Sequence, residues 1–391
     1  MNNFIPLSVP NLRGNELKYV TEAIESEWVS TGGAFITRLE SELARYLHTD
    51  QAVALQSGTA GLHLALQLAG VGPEHEVLVP TLTFIAAVNP IRYQGAQPIF
   101  MDCDESLCLD PQKLEAFCQS QTKDDQGNLV NSTTGKIIKA IVVVHVFGNM
   151  ADMAAIMEIA RKYRLWVIED ATEALGTRYE TGPYEGKFAG TMGDFGVFSF
   201  NGNKIITTGG GGAMVSTHPE LLAKAKYLST QAKNDELYFV HNEIGYNYRM
   251  TNLQAAVGIA QLEQLDAFIE IKKRNYELYK ELLTVTPGVE LWPFRENISS
   301  NHWFYTLVID EEKTGISRDA LMGALSEEKI QSRPVWKLIH SQKPYAMCQR
   351  TDLSRAEFFE KTILNIPCST NLNEPDVHRV AQTITRLVRG E

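Results

Sequence analysis

The stretch SFNGNKIITTGGGG, Ser199 to Gly212, places one lysine, Lys204, between a hydroxyl five positions earlier and a run of four glycines. A Walker-type phosphate loop needs its glycines before a Gly-Lys-[Ser/Thr] triplet and a helix after it. Here Ile205 and Ile206 follow the lysine, and the glycines come later and lead into AMVST, which reads as a strand. No G-x-G-x-x-G stands between a strand and a helix, so the dinucleotide fingerprint is also missing. What remains is an amine just past an apolar strand, beside small residues. A lysine that bonds a carbonyl compound needs such a setting, because its partner must lie against the backbone. On this reading the glycines thin the wall beside Lys204 and then turn the chain into the next strand.

Four further stretches could carry chemistry. QSGTAGLHLAL is a Ser-Gly-Thr turn entering a helix. Thr59 could cap that helix and leave the N–H groups of Gly58, Thr59 and Ala60 free for an anion, or the turn is an ordinary N-cap. LWVIEDATEALG ends a strand with Glu169 and Asp170, a pair that could bind a metal, orient a histidine or meet a protonated ring nitrogen. No histidine or cysteine at metal-ligand spacing lies near, which weakens the metal reading. VPTLTFIAAVNP sets Phe84 in a loop, either packed in the core or offered as a flat face to an aromatic ligand. VVVHVFGNMADM puts His145 at another strand end, as a structural residue or a ligand contact.

The elements that must position these residues read as alternating strands and helices. Helices are expected over 14–27, 38–47 and GLHLALQLAGV, from apolar residues at helical spacing. Short apolar runs follow: EVLVP, QPIFMD, KAIVVVHVFG, LWVIED, FGVFSF and GAMVST, with helical segments such as ADMAAIMEIARKY between them. This alternation argues an α/β fold with a mostly parallel sheet sandwiched by helices, in which chemistry collects at the carboxyl ends of strands. From residue 252 the pattern changes to one long amphipathic helix, TNLQAAVGIAQLEQLDAFIEIKKRNYELYKELL, then HWFYTLVID, SRDALMGALSEEK and a last helix near DVHRVAQTITRLVRG. Residues 1–250 are therefore expected to form a large domain and 251–391 a smaller α+β domain. The polar segment SQTKDDQGNLVNSTTGK reads as a surface excursion. There are no internal repeats or low-complexity tracts.

Composition excludes several classes. The chain has 391 residues, 44% hydrophobic and 21% charged, with a net charge of −11. That length suits a large domain plus a smaller one, and the acidic balance disfavours nucleic-acid binding. Five cysteines (Cys103, Cys108, Cys118, Cys348, Cys368) include no C-x-x-C pair, consistent with reduced thiols in the cytoplasm. The start MNNFIPLSVPNLRGNE has no basic region followed by an apolar run, so no signal peptide is expected, and AIVVVHVFG is too short to cross a bilayer. The N-x-[ST] triplets at Asn131 and Asn297 then have no glycosylation role.

Taken together, Lys204 as carbonyl-bonding amine, Asp170 as partner of a protonated ring nitrogen, Phe84 as stacking face and Thr59, Ala60 and Ser199 as phosphate donors describe a pyridoxal phosphate site. The sequence resembles the DegT/DnrJ-type nucleotide-sugar aminotransferases, of the aspartate aminotransferase fold (fold type I). The likeness runs through SGTAGLHLAL, LVPTLTFIAAVNPIRYQGAQPIFMD, HVFGNMADM, IEDATEALGT, GDFGVFSFNGNKIITTGGGGAMVS and GYNYRMTNLQAAVGIAQLE, nearly the whole chain. RPVWKLIHSQKPY and NIPCSTNL resemble the branch that aminates C4 of UDP-4-keto-6-deoxy-N-acetylglucosamine in bacillosamine and legionaminic acid pathways.

The resemblance implies that Lys204 bonds pyridoxal 5′-phosphate and that Asp170 faces its pyridine nitrogen. Ser199, Thr59 and Ala60 match the phosphate contacts, with Gly58 and Asn201 on the same cofactor side, and Phe84 matches the stacking ring. Asn247 matches a residue that reaches the phosphate from a neighbouring subunit, so a homodimer with shared sites is implied. Many relatives carry glutamine where this chain has Glu173, near the ring hydroxyl. Two anionic oxygens there would repel, so Glu173 is protonated, meets a donor instead, or sits further away. His145, Arg249, His302, Arg333 and Trp336 are the expected substrate contacts, with Trp303 a further candidate for the nucleotide. The implied reaction moves an amino group from L-glutamate, through pyridoxamine phosphate, to a UDP-4-keto-6-deoxy-N-acetylhexosamine, with no metal and no membrane. Rival readings are amination of a 3-keto nucleotide sugar, a cofactor-free regulatory relative, and a nicotinamide oxidoreductase. A sugar dehydratase of the same family carries histidine where Lys204 stands.

Overall fold

A computed structural model describes residues 3–235 and 237–390. Among the described residues, seven of the nine strands of the main sheet follow the order Val53–Leu55, Gly212–Ser216, Phe195–Ser199, Trp166–Asp170, Ile137–Val144, His75–Pro80 and Gln97–Met101. Pairings from Phe195–Ser199 across to Gln97–Met101 are parallel, and only Gly212–Ser216 runs against its neighbours. Buried on both faces, these strands are continuous runs of Val, Ile, Leu and Phe rather than alternating ones. The expected surface excursion after residue 119 forms a hairpin, Thr122–Lys123 with Leu129–Val130, added to the strand Ile137–Val144.

The topology explains why the candidate residues can meet. Leu55, Pro80, Val144, Asp170 and Ser199 end parallel strands on the same edge of the sheet, and Gly212 opens the reversed strand at that edge. Gly212 is held there by a close approach. A Cβ on it would lie 2.6 Å from the Gly58 nitrogen and 2.6 Å from the Phe198 oxygen. Only glycine lets this strand, the strand beside it and the start of helix Gly58–Leu68 converge.

The second sheet is antiparallel: Val289–Leu291, Tyr305–Ile309, Ile363–Ile366 and Arg333–Pro334. The single long helix expected from residue 252 is two helices, Asn252–Leu262 and Leu265–Leu283. They separate because each serves a different partner. The first is buried along most of its length against Glu16–Glu25 and Ala34–Leu47, and the second packs on Glu374–Val388. The division expected at residue 250 is crossed in space as well. Ile5 bridges to Ile330, and the Cys368 N–H donates to the Leu7 oxygen, so the first residues run against segments that flank the second sheet. Asp102, fully buried after the strand Gln97–Met101, accepts from the N–H groups of Arg355 and Ala356 and so caps helix Ser354–Thr362. Among the described residues no helix is long and apolar enough to cross a membrane.

Candidate active site

A cavity of about 870 Å³ opens at the carboxyl edge of the main sheet and is walled on one side by the second sheet. Lys204, Asp170, Glu173, Ser199, Asn201, Gly58, Thr59, Phe84, Arg333 and Trp336 all line it. Strand alternation separates the two carboxylates of IED. Glu169 turns away from the cavity and is saturated by the N–H groups of Gly190, Met192 and Gly193 and by His145 Nε2. Asp170 turns inward, where its Oδ1 accepts from the Thr172 N–H at 3.1 Å. Burial raises the Asp170 pKa, opposed by Thr172 and by the charges of Lys204 and His145. Of the three roles open to this pair, orienting a histidine falls to Glu169, and a cavity-facing carboxylate that lacks a bonded cation falls to Asp170.

Lys204 follows the strand Phe195–Ser199 in a turn closed by its own N–H on the Asn201 oxygen at 3.0 Å. Its side chain is 13% exposed. The Nζ lies 4.1 Å from the centroid of the Trp303 ring and 3.4 Å from Glu173 Oε1. Trp303 is fixed below it by stacking on Phe304, with centroids 4.1 Å apart, and by an Nε1–H bond to the Asn203 oxygen. Trp303 thus forms a floor under the amine. Gly210 and Gly211 line the cavity, and Gly209 turns with φ +78°.

Glu173 meets donors. Oε2 accepts from the Phe147 N–H at 2.9 Å and Oε1 from Lys204. The Phe147 amide is aimed there by a left-handed turn at that residue, φ 57°. Burial pushes the Glu173 pKa up to about 7, with Lys204 and the Phe147 amide acting against it. A carboxyl whose pKa rises on folding costs stability increasingly as pH climbs from its unfolded value of 4.5 to about 7. Glu173→Gln removes that cost. The apoprotein Tm of the variant is therefore expected to match wild type near about pH 5 and to exceed it by a growing margin up to about pH 7, then hold constant. A melting series over that range with a flat difference contradicts the assignment.

Other expected residues stand elsewhere. Ser57, not Thr59, caps helix Gly58–Leu68: its Oγ accepts from the Ala60 N–H. That occupies Ala60 and leaves the Gly58 and Thr59 amides as free donors at the helix start. His145 is wholly buried, with Nδ1 accepting from the Ala151 N–H and Nε2 on Glu169, so neither nitrogen faces the cavity. His302 packs against Phe294 and Tyr276, its Nδ1 on the Ser300 oxygen, also outside the cavity. Arg249 is buried in an ion pair with Glu40, and its segment runs beside the strand Val53–Leu55. Asn247 is exposed and absent from the cavity of its own chain. Phe84 is 53% exposed, which removes the core-packing reading, and its ring lies 6.4 Å from that of Trp336. Trp303, Gln331 and Asn365 also line it; Gln331 stands just before the strand Arg333–Pro334, Asn365 lies in Ile363–Ile366, and neither has a local sequence signature.

The donor set suits pyridoxal phosphate. The cavity holds an inward carboxylate without a bonded cation, amides free at a helix start that a Cβ on Gly58 would crowd (2.9 Å from Thr172 Cγ2), and the largely buried amine of Lys204. Fold and site together define a fold type I aminotransferase. Residues 10–385 match the DegT/DnrJ/EryC1/StrS aminotransferase family, and the chain belongs to it. It is an enzyme of the sugar-aminotransferase class, whose cofactor is pyridoxal 5′-phosphate. GDP-perosamine synthase of Caulobacter vibrioides is 38% identical over 98% of this chain and 98% of its own. EpsN of Bacillus subtilis is 37% identical over 99% and 96%. Among solved structures, DesI with its TDP-sugar product superposes with a TM-score of 0.87 at 28% identity, covering 100% of this chain and 94% of that one.

Proposed function

We propose that this enzyme transfers an amino group from L-glutamate to C4 of a UDP-4-keto-6-deoxy-N-acetylhexosamine, giving the UDP-4-amino-4,6-dideoxy sugar and 2-oxoglutarate. The observation that carries it is the placing of the Lys204 amine, with Asp170 and Glu173, inside a cavity of about 870 Å³, roomy enough for a cofactor and a bulky second substrate. Relatives by name make GDP-perosamine or bind a TDP-sugar product, which supports a sugar carried on a nucleoside diphosphate. The choice of UDP rests on the likeness of RPVWKLIHSQKPY and NIPCSTNL to the N-acetylhexosamine branch.

When bound, the cofactor supplies an electron sink. Lys204 Nζ would carry it and, once released, take a proton from the donor's α-carbon and return it as base then acid. Asp170 would keep the ring nitrogen protonated, the Gly58 and Thr59 amides with Ser199 and Asn201 would hold the phosphate, and Phe84 would cover the ring. Asn247 lies outside its own chain's cavity and exposed; a phosphate contact from it would come from a second copy, in a homodimer with shared sites.

The test is a panel of 3-keto and 4-keto sugars on UDP, GDP and dTDP, each incubated with enzyme and L-glutamate and resolved by mass and NMR. An amine at C4 of a UDP sugar is the expected result. Product only from GDP or dTDP sugars changes the nucleotide, and product only at C3 overturns the position.

A further inference from the structure

The second sheet turns an unusual face to the Lys204 cavity. Arg333 stands directly across from Asn365, and Asn365 directly across from Thr306, so these side chains share one side of the antiparallel ladder. Gln331, just before that strand, lines the cavity with Arg333 and Asn365. The acceptor atoms of both amides are already taken. Gln331 Oε1 accepts from the Leu7 N–H at 3.0 Å, and Asn365 Oδ1 from the Thr306 hydroxyl at 3.0 Å. Neither amide nitrogen meets an acceptor among the described residues, and Arg333 has neither an ion pair nor a hydrogen bond there. Asn365 is 2% exposed. Both amides line the cavity with their nitrogens unpaired, and a ligand bound there can supply the acceptors.

Charge follows the same direction. The cavity's two carboxylates, Asp170 and Glu173, are buried near Lys204, whereas Arg333 and Lys337 are its other cations and Arg333 is exposed. Lys337 is paired with Glu360, which leaves Arg333 uncompensated.

We propose that Gln331, Arg333 and Asn365 seat the diphosphate of the nucleotide sugar, a site that rests on the sugar-nucleotide reading above. The row of N–H donors runs from a buried amide to an exposed guanidinium. That span suits two linked phosphates whose nucleoside leaves toward solvent, rather than the single carboxylate of the amino donor, and the guanidinium fork suits phosphate oxygens.

The experiment is calorimetric titration of the cofactor-loaded enzyme with UDP, GDP and dTDP, alongside the KM for L-glutamate. Wild type is expected to bind at least one of the three. Arg333→Ala and Asn365→Asp, which replaces a donor by a like charge, are each expected to weaken that binding by about tenfold or more, with the glutamate KM moving less than about twofold. Among the described residues the Arg333 side chain has no partner, so its variant tests the seat even where the Asn365 variant folds poorly. Wild type that binds none of the three, or an Arg333 variant within about twofold of wild type, overturns the seat. A rise confined to the glutamate KM assigns the donors to the amino acid's carboxylate and overturns it too. Failure of every keto sugar with nucleoside diphosphate binding intact sinks the reaction instead and leaves the seat standing.

Discussion

Lys204→Ala is expected to lower kcat by at least about 10⁴-fold, because it removes the buried lysine amine beside Asp170 and Glu173 and with it both the covalent hold on the cofactor and the base that moves the proton. Lys204→Arg is expected to fail almost as completely. It restores the positive charge beside Glu173 but offers a guanidinium that stays protonated and cannot bond a carbonyl. The pair of variants thus separates chemistry from electrostatics. Both should stay folded, since the Lys204 side chain makes one hydrogen bond, a 3.4 Å contact to Glu173, and rests on a Trp303 ring held independently by Phe304 and Asn203. Borohydride treatment of the wild type followed by peptide mass analysis should place the cofactor's mass on the fragment that bears Lys204. Wild-type conversion of glutamate to 2-oxoglutarate by the alanine variant, or the label on another lysine, would remove Lys204 from its role.

Much of this site could be read along the chain because it is built from strand ends. Each of Asp170, Ser199 and Lys204 follows a short apolar run, and parallel strands bring such positions to one edge. Strand alternation turns Glu169 and Asp170 opposite ways without fixing which of them faces in. That depends on the Gly190–Gly193 segment, whose amides claim Glu169. The histidines and Arg249 misled for a related reason. Glu169 and Glu40, the partners of His145 and Arg249, lie beyond any window in which a pattern is visible, while His302 is held by the oxygen of Ser300 and packed on Phe294 and Tyr276, and each is satisfied away from the cavity. Gln331 and Asn365 were invisible because their meaning lies in cross-strand register and in which end of an amide is already bonded. The break at residues 263–264 was hidden because amphipathic spacing continues through it while the packing partner changes.

Asp170→Asn is expected to lower kcat by about 10³-fold while making the apoprotein more stable. The two effects have one cause. Asp170 is 4% exposed, faces the cavity and carries no bonded cation, and burial lifts its pKa. A raised carboxyl pKa means the folded protein holds the proton more tightly than the unfolded one. Stability is then lost as pH rises from the unfolded value through the folded one, and the ionised group is a liability above it. A bound cation, here a protonated ring nitrogen, converts that liability into binding energy. Asparagine keeps the shape and accepts from the Thr172 N–H but cannot hold the nitrogen's proton. The apo variant is therefore expected to melt above wild type at about pH 8, the margin shrinking as the pH is lowered through the folded pKa. The cofactor-loaded variant should lose most of the stabilisation that the cofactor gives wild type. Melting curves of apo and loaded forms, read beside kcat, test both halves. An asparagine variant that turns over near the wild-type rate shows that another group protonates the ring. One that melts below wild type as apoprotein shows that Asp170 is already compensated within the chain.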